Sequence, residues 1–100
     1  MTERGPDFLA HREGDHVAVA VRDLSPGEVR GSYLDGSGEA GVVLNHDVPL
    51  GHKLALAPVA SGADVVEYGI RIGVASKDIE VGDYVHVHNV RSARWQNSVA

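Results

Sequence analysis

The chain contains no cysteine, which excludes disulfides and thiolate metal sites. Aromatic residues are few, limited to Phe8, Tyr33, Tyr68, Tyr84 and Trp95, so a core has to be assembled from Val, Leu, Ile and Ala. Lysine occurs only at Lys53 and Lys77, there is no basic run, and the formal net charge is −5 at pH 7 with His neutral. That combination argues against a nucleic-acid partner, because phosphate binding needs clustered Lys and Arg. No apolar stretch approaches the ~20 residues needed to cross a bilayer. The opening Met1–Ala10, with Pro6 and two acids, does not read as a signal peptide. The expectation is a cytoplasmic protein with no membrane partner. No segment keeps a 3.6-residue apolar period over ten residues, so long helices are not expected.

What is present is the composition of one small globular domain: 100 residues, 43% apolar and 23% charged, with no room for a second domain. So short a chain buries a modest fraction of its surface, and a partner subunit or a homo-oligomer can supply further stability. Residues 1–14 read as a polar lead-in, 15–90 as the folded domain and 91–100 as a C-terminal tail. His16–Val21 alternates, with Val17, Val19 and Val21 on one face of a strand. Further short strands are expected at Val29–Leu34, Ala40–Leu44, Lys53–Leu56, Val65–Tyr68, Ile70–Ala75 and Tyr84–Val90. Asp35-Gly36-Ser37-Gly38 reads as a loop. The fold class is mainly β. One pattern recurs, at Asp23–Gly27, Asp47–Gly51, Pro58–Gly62 and Asp78–Gly82: a turn-favouring residue, an apolar residue, two variable residues, then Gly. It predicts a single helical turn that buries its apolar residue and is ended by a left-handed Gly; four ordinary turns are the alternative.

Six histidines are the main chemical signal. His86-Val87-His88-Asn89 falls at the end of the last expected strand. Residues i and i+2 of a strand share a face, roughly 6.5–7 Å apart. His86 and His88 can therefore reach one metal ion or one anionic ligand, with Val87 turned to the core. Neutral imidazoles suit Zn²⁺, Fe²⁺ or Mn²⁺; the bland alternative is a pair of half-exposed histidines on a polar face. Gly51-His52-Lys53 opens another short strand. Lys53 can meet a substrate carboxylate as a point charge, and His52 can act as a ligand or in proton transfer, against the alternative of a solvated lysine and a capping histidine. Asp47 reads as a cap, His11 as solvated, and Glu67 and Arg71 as surface residues flanking a Tyr68-Gly69 hairpin connection. Trp95, on the tail, is an anchor for the domain's own flank or for a partner. No phosphate loop, nucleophile elbow or dinucleotide fingerprint occurs.

Four segments in order resemble a known family. Asp15-His16-Val17-Ala18-Val19-Ala20 with Asp23-Leu24 and Gly27-Glu28 is similar to the opening of the altronate/galactarate dehydratase N-terminal domain. Val48-Pro49-Leu50-Gly51-His52-Lys53-Leu54-Ala55-Leu56 resembles its I-P-x-G-H-K-x-A-L segment. Val66-Glu67-Tyr68-Gly69 with Ile72-Gly73-Val74-Ala75 resembles its Y-G-x-x-I-G-x-A segment. Asp78-Ile79, Gly82-Asp83 and Val85–Asn89 resemble its closing D-I-x-x-G-x-x-V-H-x-H-N. His46 departs from the pattern, where the family leads one to expect an acid.

The resemblance implies a SAF-type β-clip of short strands, and a role as the small component of a hydro-lyase that eliminates water from a sugar acid such as altronate or galactarate. It also implies a divalent metal, iron or manganese, and a large catalytic subunit as partner. Relatives include the small subunit of sulfolactate sulfo-lyase. Eliminating water needs a base for the proton beside the carboxylate, stabilisation of the enediolate, and an acid for the leaving hydroxyl. The residues expected to contribute are His52, His86 and His88 as catalytic groups, His86 and His88 as metal ligands, and Lys53 and Asn89 in substrate binding. No base stands out. The alternatives are a stand-alone SAF module that binds a sugar or an anion without turnover, and a self-sufficient metal enzyme, which the few nearby carboxylates disfavour.

Overall fold

The computed structural model describes residues 5–86 and 88–92. Within them the chain forms nine short strands: β1 (Phe8–Ala10), β2 (Val17–Ala20), β3 (Gly27–Tyr33), β4 (Glu39–Leu44), β5 (Lys53–Ala55), β6 (Asp64–Glu67), β7 (Ile70–Ala75), β8 (Tyr84–Val85) and β9 (Val90–Ser92). Six of them form one sheet in the order β4-β3-β1-β2-β5-β8, and β6-β7-β9 form a second. All pairings are antiparallel except β1 with β3. The fold is mainly β, as the residues imply.

Two cores lie on opposite sides of β2 and β5. Ala18, Ala20 and Leu54 pack with Phe8, Leu24, Val29, Leu44 and Val48 on one side. Val17 and Ala55 pack with Val59, Val65, Ile79 and Val85 on the other. The strand period of two sends alternate residues into the two cores, and the register agrees, pairing Val17 with Ala55 and Ala18 with Leu54. The strand expected over His16–Val21 is present as β2, ending at Ala20. Val17, Ala18 and Ala20 are all buried, because a central strand between two cores has no solvent face, while Val21, past the end of β2, is exposed. His16 ties the sheets together. Its backbone N–H donates to the Val66 carbonyl and its Nδ1 accepts from Val66 N at 3.0 Å.

The polar lead-in is corrected at Phe8–Ala10. This segment is β1, inserted between β2 and β3, with Phe8 and Ala10 in the core. Asp7 fixes its entry: Oδ2 accepts from Arg30 N at 2.9 Å and Oδ1 lies 3.4 Å from Arg22 Nε. Gly31 sits directly against the Phe8 ring, which is why a glycine interrupts β3.

The recurring motif is not a helical turn; no helix occurs among the described residues. The four copies instead pair two by two through single β-bridges, Leu24 with Val48 and Val59 with Ile79. In each pair the apolar residue is buried and the two backbones exchange both hydrogen bonds. Asp23 Oδ1 accepts from Leu50 N, and Asp78 Oδ1 from Ser61 N, both at 2.9 Å. Each of these carboxylates caps the turn of its partner copy rather than its own, so the pairing is satisfied across the fold and no local helix is needed. The glycine expectation holds, since Gly27, Gly51, Gly62 and Gly82 all have positive φ.

Candidate functional site

Gly51 and His52 are pinned by the end of β2: Gly51 N donates to the Ala20 carbonyl, and Ala20 N donates to that of His52. The positive φ of Gly51, 85°, turns the chain so that His52 leads into Lys53, which starts β5 beside β8. Lys53 pairs with Val85 and Leu54 with Tyr84. His52, Lys53 and His86, with Gly51 and the apolar Ile72, Val85 and Val90, line one open pocket of about 360 Å³.

The last expected strand is corrected. Its pairing with β5 ends at Val85, His86 is a bend, and His88-Asn89 is a turn leading into β9. The cause is Asn89, 3% exposed. Its Oδ1 accepts from His86 N at 2.9 Å and its Nδ2 donates to the Tyr84 carbonyl at 2.8 Å, while Asn89 N and Val90 N both donate to the His86 carbonyl at 3.0 Å. An Asn that satisfies backbone groups in this way replaces the strand ladder with a turn. Asn89, expected to contact substrate, therefore has its amide engaged in holding the histidine turn. The expected placement of Val87 lies outside the described residues, as does Trp95.

Tyr84 is the hub of the site. Its ring centroid lies 5.6 Å from His86, 5.6 Å from His88 and 5.7 Å from His52, and His52 stacks on His86 at 5.3 Å with planes 24° apart. The Tyr84 hydroxyl is 2.6 Å from His52 Nδ1. His88 titrates below its ordinary value. Loss of water from the ring comes first among the causes, followed by the positive fields of Lys77, His86 and His46. The residue is nonetheless exposed, with its ring tilted against that of Tyr84.

Lys53 Nζ lies 3.7 Å from Glu67 Oε1, and His11 Nε2 lies 3.8 Å from Glu67 Oε2. Glu67, expected at the surface, has a side chain only 13% exposed and sits between Lys53 and His11. Arg71, expected there too, is exposed and lies 3.6 Å from Asp64. Asp83 meets Asn45, His46 and the backbone of Glu80.

The structure thus brings His52, Lys53 and His86 to one pocket and His88 to its Tyr84 border, and it adds Tyr84 and Glu67. Tyr84 was legible: the i, i+2 rule applied to His86 and His88 applies equally to Tyr84 and His86. Nothing local marks Glu67, whose partners are distant in sequence. Among the described residues no group of three or more His, Asp or Glu side chains is arranged to hold a metal ion. His52 Nδ1 is occupied by Tyr84, and the nearby carboxylates are held by other partners. The described residues do not form a complete metal site.

A curled all-β domain that presents a histidine-lined pocket beside a lysine defines the class. The comparisons give the family. The model of the altronate/galactarate dehydratase SAF domain matches residues 6–93, and the chain belongs to that family. It is 46% identical over 78 residues to altronate dehydratase of Escherichia coli (strain K12), covering 78% of this chain and 15% of that protein. It is 34% identical over 85 residues to altronate dehydratase of Bacillus subtilis (strain 168), covering 85% of this chain and 16% of that protein. It is also 34% identical over 91 residues to (2R)-sulfolactate sulfo-lyase subunit alpha of Chromohalobacter salexigens, covering 89% of this chain and 97% of that subunit. The chain spans only about a sixth of the altronate dehydratases it matches.

Proposed function

We propose that this chain is the small component of a hydro-lyase that eliminates water from a sugar acid, completed by a larger catalytic polypeptide. The observation that carries the reading is the pocket that joins His52, Lys53 and His86 on a domain whose relatives are named as dehydratases and a sulfo-lyase subunit. In this reading Lys53 meets the substrate carboxylate, held in place by Glu67. His52 supplies the proton to the departing hydroxyl, and His86 and His88 bound the same space. The base that removes the proton beside the carboxylate comes from the larger polypeptide. A divalent metal, iron or manganese, would stabilise the enediolate. His86 and His88 offer it at most two imidazoles, so its other ligands also belong to the larger part.

One observation favours a second reading. The chain covers nearly all of a sulfo-lyase subunit, which suits a separate subunit and a sulfonate leaving group. Assays of the assembled enzyme with altronate, galactarate and sulfolactate separate the two. Lys53→Met is expected to raise KM by about tenfold or more with a smaller change in kcat, the signature of lost ground-state binding. An unchanged KM would remove Lys53 from the substrate.

A further inference from the structure

Four rings meet at the border of the pocket, and Tyr84 contacts the other three. Its hydroxyl lies 2.6 Å from His52 Nδ1, and the backbone of each partner is pinned. The Tyr84 carbonyl is held by Asn89 Nδ2, its backbone pairs with Leu54, and His52 is fixed through its own N–H and carbonyl to Pro49 and Ala20. The His52 ring further contacts both Tyr84 and the stacked His86. Of the two groups, the phenol is the better donor and the imidazole nitrogen the more basic acceptor. With the phenol as donor, the proton of the bond sits on Tyr84 and Nδ1 accepts it. A neutral imidazole that accepts at Nδ1 carries its own hydrogen on Nε2.

We propose that Tyr84 is the positioning residue of this site: by donating to Nδ1 it fixes His52 in the Nε2–H tautomer, so that His52 meets a ligand in the pocket as a donor. Two consequences follow. With Lys53 beside it, this side of the pocket offers donors and suits an oxygen-rich anion. In that tautomer His52 also has no lone pair left for a metal ion. The significance for turnover rests on the reading of His52 as the acid; the tautomer itself does not.

The test is long-range ¹H–¹⁵N correlation spectroscopy of the full chain labelled at histidine, at about pH 8, above the ordinary histidine range. His16 is an internal control, because its Nδ1 accepts from a backbone N–H, that of Val66, and must show Nε2–H as long as the fold is intact. Wild-type His52 is expected as Nε2–H. Tyr84→Phe keeps the ring but should lower the ratio of Nε2–H to Nδ1–H at His52 by about fivefold, equivalent to ~1 kcal/mol, with His16 unchanged. Nδ1–H at His52 in the wild type overturns the proposal, and that spectrum decides even where the variant fails to fold. An unchanged ratio in Tyr84→Phe with an intact His16 signal overturns it equally. Neither result depends on turnover, so failure here is distinct from failure of the lyase reading.

Discussion

At the scale of single residues, one buried amide and one solvent-facing ring define how the site is held. Asn89 satisfies His86 N and the Tyr84 carbonyl at once. Asn89→Ala leaves both groups without that partner in a turn where nothing else is shown to replace it. The expected cost is about 1–3 kcal/mol, read as a lower urea midpoint with an unchanged m-value. Asn89→Asp retains the acceptor but not the donor and should fall between the two. His88 yields a pH prediction. Its folded titration lies below the ordinary value of 6.5, so the unfolded chain takes up a proton more readily than the folded one. This residue therefore leaves stability unaffected well above that value and lowers it as the pH falls through it. The effect is modest because the ring is exposed. Lys77→Ala removes the second of the causes, and the His88 midpoint followed by NMR should move upward.

At the scale of elements, glycines report the closeness of the strands. A methyl group at Gly31 would collide with the Phe8 ring and carbonyl, whereas one at Gly41 would meet ordinary contacts, the nearest at 3.5 Å from Arg30. Gly31→Ala should destabilise by about 1–3 kcal/mol through overpacking. Gly41→Ala should be neutral or slightly stabilising, by up to ~1 kcal/mol. Thermal denaturation of the two variants side by side checks both. Strands whose residues alternate or run apolar between turn signals, such as β4 and β7, were legible from the chain alone. β1 was not, because only three residues carry it and its partners lie in β2 and β3. The motif glycines were legible through their turn chemistry. The bridges between motif copies were not, since Asp23 and Asp78 act on residues 27 and 17 positions away. The same holds at the site. His52 and His86 stand out as residue types, but the break after Val85 depends on Asn89 reaching back to Tyr84.

At the scale of the whole molecule, the domain is a platform that, in the proposed function, presents one side of a reaction site. It brings Lys53, His52 and His86 to a pocket and His88 to its border, all on short strand ends and one pinned turn. The described residues hold no complete metal site, and no carboxylate is among those that line the pocket. The family membership and the small share of the altronate dehydratases that the chain spans agree with a working unit larger than this domain. The most direct test of that account is the steady-state turnover of the complex formed between this chain and the larger lyase polypeptide proposed as its partner, wild type against His52→Ala, with assembly verified by size-exclusion chromatography. The account predicts an intact complex whose kcat falls by about a hundredfold or more, the scale of a lost general acid. An intact complex that keeps its turnover within a few-fold would contradict it.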